Sequence, residues 1–248
     1  MRLAPTRRLL QAGILGPVAF VAVFLYEDMT RAGYDARRHF VSLLSLGNDG
    51  WQQAASFIAT GLLVAAFAVG LGRSWRSGIG SRWAPRLIAI VGIALVFDGL
   101  FPTEPEYGFP PGTPEGLPTA ITWHGAIHYV AGAVAFVGLA AACLIVAVRA
   151  RNDGQRRLAM LSAVSPVVML GVWLLSYAIA AVGGPAVGGV LQRLSIVAGM
   201  SWLIVLALSV LATAPCVTSV SRDGLPAEGA AVSGTGTSRR RPRRGLTV

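Results

Sequence analysis

The sequence predicts an all-α integral membrane protein, a bundle of six transmembrane helices with both termini cytoplasmic. Three observations predict it. Hydrophobic residues fill 54% of the 248 positions and only 13% are charged, about half the charged share of an average soluble domain. The apolar residues gather into six stretches at 9–26, 51–71, 84–101, 121–148, 158–182 and 187–212, and a helix of about 20 such residues crosses roughly 30 Å of hydrocarbon. Arginine is abundant at alternate junctions between those stretches and sparse at the others.

Arg2, Arg7 and Arg8 precede the first stretch in the manner of a signal peptide. Glu27-Asp28 follow it instead of a small-x-small cleavage site, so it reads as an uncleaved first span. A polar segment of mixed charge, 27–50, leads to the second span. The third is interrupted only by Asp98 and ends in a Pro/Gly-rich linker. The fourth follows that linker, and the fifth contains Pro166, which is expected to kink it. These spans and their loops make a membrane domain of residues 1–212. The tail 213–248 is rich in Gly, Ser and Thr and closes on Ser238-Arg-Arg-Arg-Pro-Arg-Arg. Such a segment buries too little apolar surface to offset its ordering entropy and is expected to be disordered.

The formal charge of +10 comes wholly from arginine, because the chain has no lysine. Short clusters between apolar spans are better explained by topology than by nucleic acid, which is not expected as a partner. With the N-terminus inside, 17 arginines fall on the inner side: Arg2, Arg7, Arg8, Arg73, Arg76, Arg82, Arg86, Arg149, Arg151, Arg156, Arg157 and six in the tail. Four remain outside: Arg31, Arg37, Arg38 and Arg193. The positive-inside rule then places both termini in the cytoplasm of a multi-pass plasma-membrane protein. The tail's arginines can hold anionic lipid at about 1 kcal/mol each, or only enforce topology. Cys143 and Cys216 form no disulfide or thiolate-metal pattern. No internal repeat is visible, and nothing specifies an oligomeric state.

Ionisable residues inside or beside the spans mark the candidate site. At a rise of 1.5 Å per residue, Asp98 lies about 21 Å from the inner face, and His128 and Arg193 reach the same layer roughly 9 Å below the outer one. A charge facing lipid costs several kcal/mol, so all three are expected to face the interior and meet, with Asp98 and Arg193 as an ion pair. His124 lies one turn above His128 on the same helical face. Glu104, His39, Ser42 and Ser45 are placed to close over the layer. His124 and His128 at i,i+4 fit one face of a zinc site, but Gly125-Ala126 stand where a zinc protease has a Glu. Hydrogen-bonding interface histidines and a proton relay remain open beside it. Ser42 and Ser45 with Gly47 read either as nucleophile and turn or as a helix end and turn.

Four motifs together resemble a known family: Arg38-His-Phe-Val-Ser-Leu-Leu-Ser-Leu-Gly before Trp51, Phe101-Pro-Thr-Glu-Pro, His124-Gly-Ala-Ile-His128, and Leu191-Gln-Arg-Leu. They are similar to the bacterial six-helix membrane family catalogued as domain of unknown function 998, over roughly residues 9–211. The departure is Glu104, where the family's Phe-x-x-Asp-Pro has Asp. The resemblance implies a six-helix bundle whose outer motifs form one site, and it implies no reaction. Two functions of different class stay open. One is binding or transport of a proton, ion or small polar ligand in an outward-facing pocket of Asp98, Glu104, His124, His128 and Arg193. The other is a zinc-dependent hydrolase acting on outer-leaflet lipid through His124, His128 and an acid. A purely structural or regulatory membrane protein is the third possibility.

Overall fold

The computed structural model describes residues 3–182 and 187–213. Six helices form where the apolar stretches stand: α1 (Leu3–Thr30), α2 (Trp51–Ser74), α3 (Trp83–Leu100), α4 (Trp123–Asn152), α5 (Arg156–Ala181) and α6 (Gly188–Thr213). Each holds a segment long and apolar enough to cross a membrane. Their outer surfaces are apolar too, with Leu15, Leu62, Ile93, Val137, Val167 and Leu208 all exposed. Water penalises apolar surface on that scale, whereas hydrocarbon accepts it, and a helix satisfies its own backbone polar groups there. The chain is therefore a multi-pass membrane protein. The tail from residue 214 on, Cys216 included, lies outside the described residues.

α1 runs four residues past the sequence-based limit at 26 and takes Glu27 and Asp28 into its last turns. The two acids are tolerated because each has a cation: Arg31 hydrogen-bonds Glu27 one turn on, and Arg193 reaches Asp28 from α6. α5 continues as one helix through Pro166, as α1 does through Pro17.

Each helix packs against the next in sequence, and α6 returns to α1. The result is a ring in which α3 and α6 stand on opposite sides. Lipid offers helices no hydrophobic drive to associate, so close backbone approach through small residues matters more than in water. Between α2 and α3, Gly61 and Gly92 supply it: a Cβ on Gly61 would lie 2.4 Å from the Gly92 carbonyl oxygen, and one on Gly92 would lie 2.6 Å from that of Gly61.

Two loops cover one end of the ring. The first, after α1, contains a 3₁₀ helix (Val41–Ser45) and a turn at Gly47, whose φ is +76°. The second is the linker 101–122. They share a small core in which Phe40, Leu43 and Phe109 are buried beside Tyr34 and Leu46. The first loop thus packs over the bundle and against the linker. The opposite end of the ring carries the arginine-rich turns.

Candidate functional site

At the linker end, the ring encloses a cavity of about 90 Å³ to which all six helices and the 3₁₀ helix contribute. Its floor is apolar, made by residues such as Val91, Leu139, Met169 and Leu203. Aromatic side chains stand along the wall: Phe20, Phe57, Phe136, Trp173 and Tyr177. Phe136 and Trp173 stack with centroids 4.8 Å apart. The polar residues Asp98, His128, Tyr129, Gln192 and Ser42 come from the cavity's linker end.

Asp98 and His128 occupy that end together. His128 sits in the second turn of α4 and donates from Nδ1 to the carbonyl oxygens of Phe101, at 2.9 Å, and Asp98, at 3.2 Å. Those carbonyls are free to accept because they belong to the C-terminal end of α3, where helical partners run out. With Nδ1 protonated by this geometry, the neutral ring keeps Nε2 as an acceptor. Asp98 is 4% exposed. Its Oδ1 lies 3.8 Å from His128 Nδ1, beyond hydrogen-bond distance, and has no hydrogen-bond partner among the described residues.

Arg193 does not join them. It binds Asp28 in bidentate fashion, Nε to Oδ2 at 2.8 Å and Nη2 to Oδ1 at 2.5 Å. It also donates to the Tyr34 hydroxyl at 2.6 Å and to the carbonyls of His39 and Gly189 at 2.9 Å each. The expected Asp98–Arg193 pair is thereby overturned. α6 meets α1 and α5 in the ring while α3 lies across it.

The remaining candidates divide between the covering loops. Glu104 is buried and accepts from both the backbone N–H of Thr122, at 2.7 Å, and its hydroxyl, at 2.5 Å. Thr122 is the N-cap of α4, its Oγ1 accepting from Gly125 N–H. Glu104 therefore fixes the start of that helix. Gly125 is needed for it, since a Cβ there would lie 2.2 Å from Glu104 Oε1. His124 Nδ1 bonds Thr122 Oγ1 at 2.8 Å. One turn apart, the two histidines thus have separate partners, and among the described residues no three His, Cys, Asp or Glu side chains converge as a metal would require. The sequence-based zinc set of His124, His128 and an acid does not assemble.

His39 accepts at Nδ1 from the Asp35 N–H, at 2.9 Å, and its Nε2 donates to the Tyr107 carbonyl at 3.1 Å. It is a neutral cross-link between the loops, its pKa lowered by burial. Ser45 donates to the Ser42 carbonyl at 2.7 Å within the 3₁₀ turn. Of the two serines, Ser42 lines the cavity.

These motifs come from one family. The model for proteins of unknown function termed DUF998 matches residues 14–209. The chain belongs to this family. No curated protein and no solved structure matches it. The DUF998 match starts inside α1 and ends inside α6, so it takes in the cavity and both covering loops.

Within this DUF998 chain the structure adds polar residues that reading for charged spans passed over. Gln192, next to Arg193, is buried and its Oε1 accepts from Val41 N–H at 2.7 Å, tying α6 to the 3₁₀ helix. Tyr129, next to His128, lines the cavity and donates to Glu106 Oε1 at 2.8 Å. Glu106 is buried beneath the linker, its Oε2 has no hydrogen-bond partner among the described residues, and burial raises its pKa. A buried Gln inside a span carries the same desolvation cost that drew attention to the charges, and it was the available signal.

Proposed function

We propose that the chain is a membrane-embedded binding protein whose central cavity takes a small ligand, with Asp98 and His128 at the ligand's polar end. The observation that carries this reading is the Asp98 carboxyl, buried against a cavity with an oxygen that has no hydrogen-bond partner among the described residues. Leaving such a group unsatisfied costs free energy that a ligand can recover. The apolar floor favours binding over conduction, because Val91, Leu139, Met169 and Leu203 line the cavity there. The arginine count supports that end, with both termini, facing the cytoplasm and the cavity opening toward the outside of the plasma membrane.

A cavity of about 90 Å³ suits a ligand of roughly four or five heavy atoms. At a ceiling of about 1.5 kcal/mol per atom, its affinity is micromolar at the tightest. The test is saturation-transfer NMR of 1-propanol with the purified protein in nanodiscs, beside Gly132→Leu, which fills the cavity beside Asp98. Binding in the parent and its loss in the variant supports the site. Equal binding in both refutes it.

A further inference from the structure

We infer that the cavity selects a small organic cation, a primary amine whose ammonium group sits at Asp98 and whose short apolar chain lies on the aromatic wall. This rests on the cavity being a binding site, and it names the ligand's chemistry. Facing the cavity are apolar and aromatic groups from α1, α2 and α5, with the Tyr177 hydroxyl; Asp98 from α3; His128 and Tyr129 from α4; Gln192 from α6; and Ser42 from the 3₁₀ helix. Apart from His128, no basic residue is among them, and His128 has spent its one N–H on the carbonyls of Phe101 and Asp98. Arg193, the cation expected in the same layer, is held by Asp28 on the far side of the ring.

The polar end therefore carries the Asp98 acid and, among its lining residues, no free cation; the hydroxyl and amide groups of Tyr177, Ser42 and Gln192 can both donate and accept. Asp98 offers a carboxyl oxygen without a hydrogen-bond partner among the described residues, and His128 offers Nε2 as a lone-pair acceptor. An ammonium group brings three donors and one positive charge and no acceptor, which is the complement of that set. A buried carboxylate gains most from a partner of opposite charge. An inorganic cation would satisfy the charge but not the wall, where Phe57, Phe136 and Trp173 present apolar surface that favours a carbon chain.

The experiment compares propylamine with 1-propanol, equal in chain length, by competition NMR on the full chain in nanodiscs at neutral pH. Sodium chloride at matched ionic strength is the third probe. The expected result is that propylamine binds at least tenfold tighter than 1-propanol, and that Asp98→Asn erases this preference. An unchanged gel-filtration profile shows that the variant is folded, and Asp98→Glu restores the preference. The inference is overturned if the two probes bind alike, if Asp98→Asn keeps the preference, or if sodium displaces propylamine at equal concentration. Absence of binding by both organic probes overturns the cavity reading itself, together with this one.

Discussion

Arg193 and Asp28 offer the most direct measure of how the ring is closed. Their side chains are 11% and 9% exposed, and five hydrogen bonds converge on the guanidinium. Removing one partner of a buried pair strands the other and costs about 3 to 5 kcal/mol. Arg193→Gln belongs at the upper end, because it also releases Tyr34 and the carbonyls of His39 and Gly189. Asp28→Asn belongs at the lower end, because an amide oxygen still accepts from the guanidinium. With both changed no charge is left unpaired, so the double variant should cost about as much as Arg193→Gln alone. That is a coupling of about 3 kcal/mol. Unfolding of the detergent-solubilised protein by titrated dodecyl sulfate gives all three values. Additivity of the two changes within about 0.5 kcal/mol would refute the pairing. Asp98→Asn combined with Arg193→Gln supplies the control: the residues lie across the ring, so their effects should add.

Three other outcomes follow from the same geometry. Gly92→Leu should abolish or severely reduce folded protein on fluorescence-detected gel filtration, because its Cβ would meet the Gly61 carbonyl at 2.6 Å and the Ala65 nitrogen at 2.8 Å; near-normal yield would contradict the α2–α3 contact. Asp98→Asn should raise the thermal midpoint of the empty protein, since it replaces a buried carboxyl whose Oδ1 has no hydrogen-bond partner among the described residues, and a lower midpoint would mean that the carboxyl is satisfied. His39 has its folded pKa lowered by burial, so the unfolded chain binds the proton first. Its contribution to loop docking is full above the ordinary value of about 6.5 and is lost as pH falls from there through the folded value. Hydrogen-exchange protection of residues 31–46, corrected for the intrinsic pH dependence of amide exchange, should fall below that point, and unchanged protection from pH 8 to 5 would remove His39 from the cross-link.

The six helices were legible because hydropathy integrates over about 20 residues and tolerates an isolated Asp98 or Pro166. The site was legible only in part. Depth along a helix follows from counting residues, and it put Asp98, His128 and Arg193 in one layer. Azimuth around the bundle does not follow from counting, and it decided the partners: α4 beside α3 joined His128 to Asp98, while α6 beside α1 gave Arg193 to Asp28. Glu104 looked like a lid over the layer because it is an acid near a span. Its real contacts, the Thr122 N–H and hydroxyl, come from the far end of the linker. Only the linker's folded path, with Tyr107 N–H on the Gly116 carbonyl and Gly108 N–H on that of Pro114, brings those ends together.

The ring also has a consequence for how the chain is inserted. Five of its six helix interfaces join consecutive spans and can form as each new helix follows its neighbour into the bilayer. The sixth, α1 with α6, joins spans separated by most of the domain, and it waits for synthesis to reach α6. Until then Asp28 has no Arg193, and the cavity lacks the wall that α6 supplies. Completion of this membrane domain is therefore reported at a single seam, where a lone arginine near the start of the last helix meets an aspartate at the end of the first.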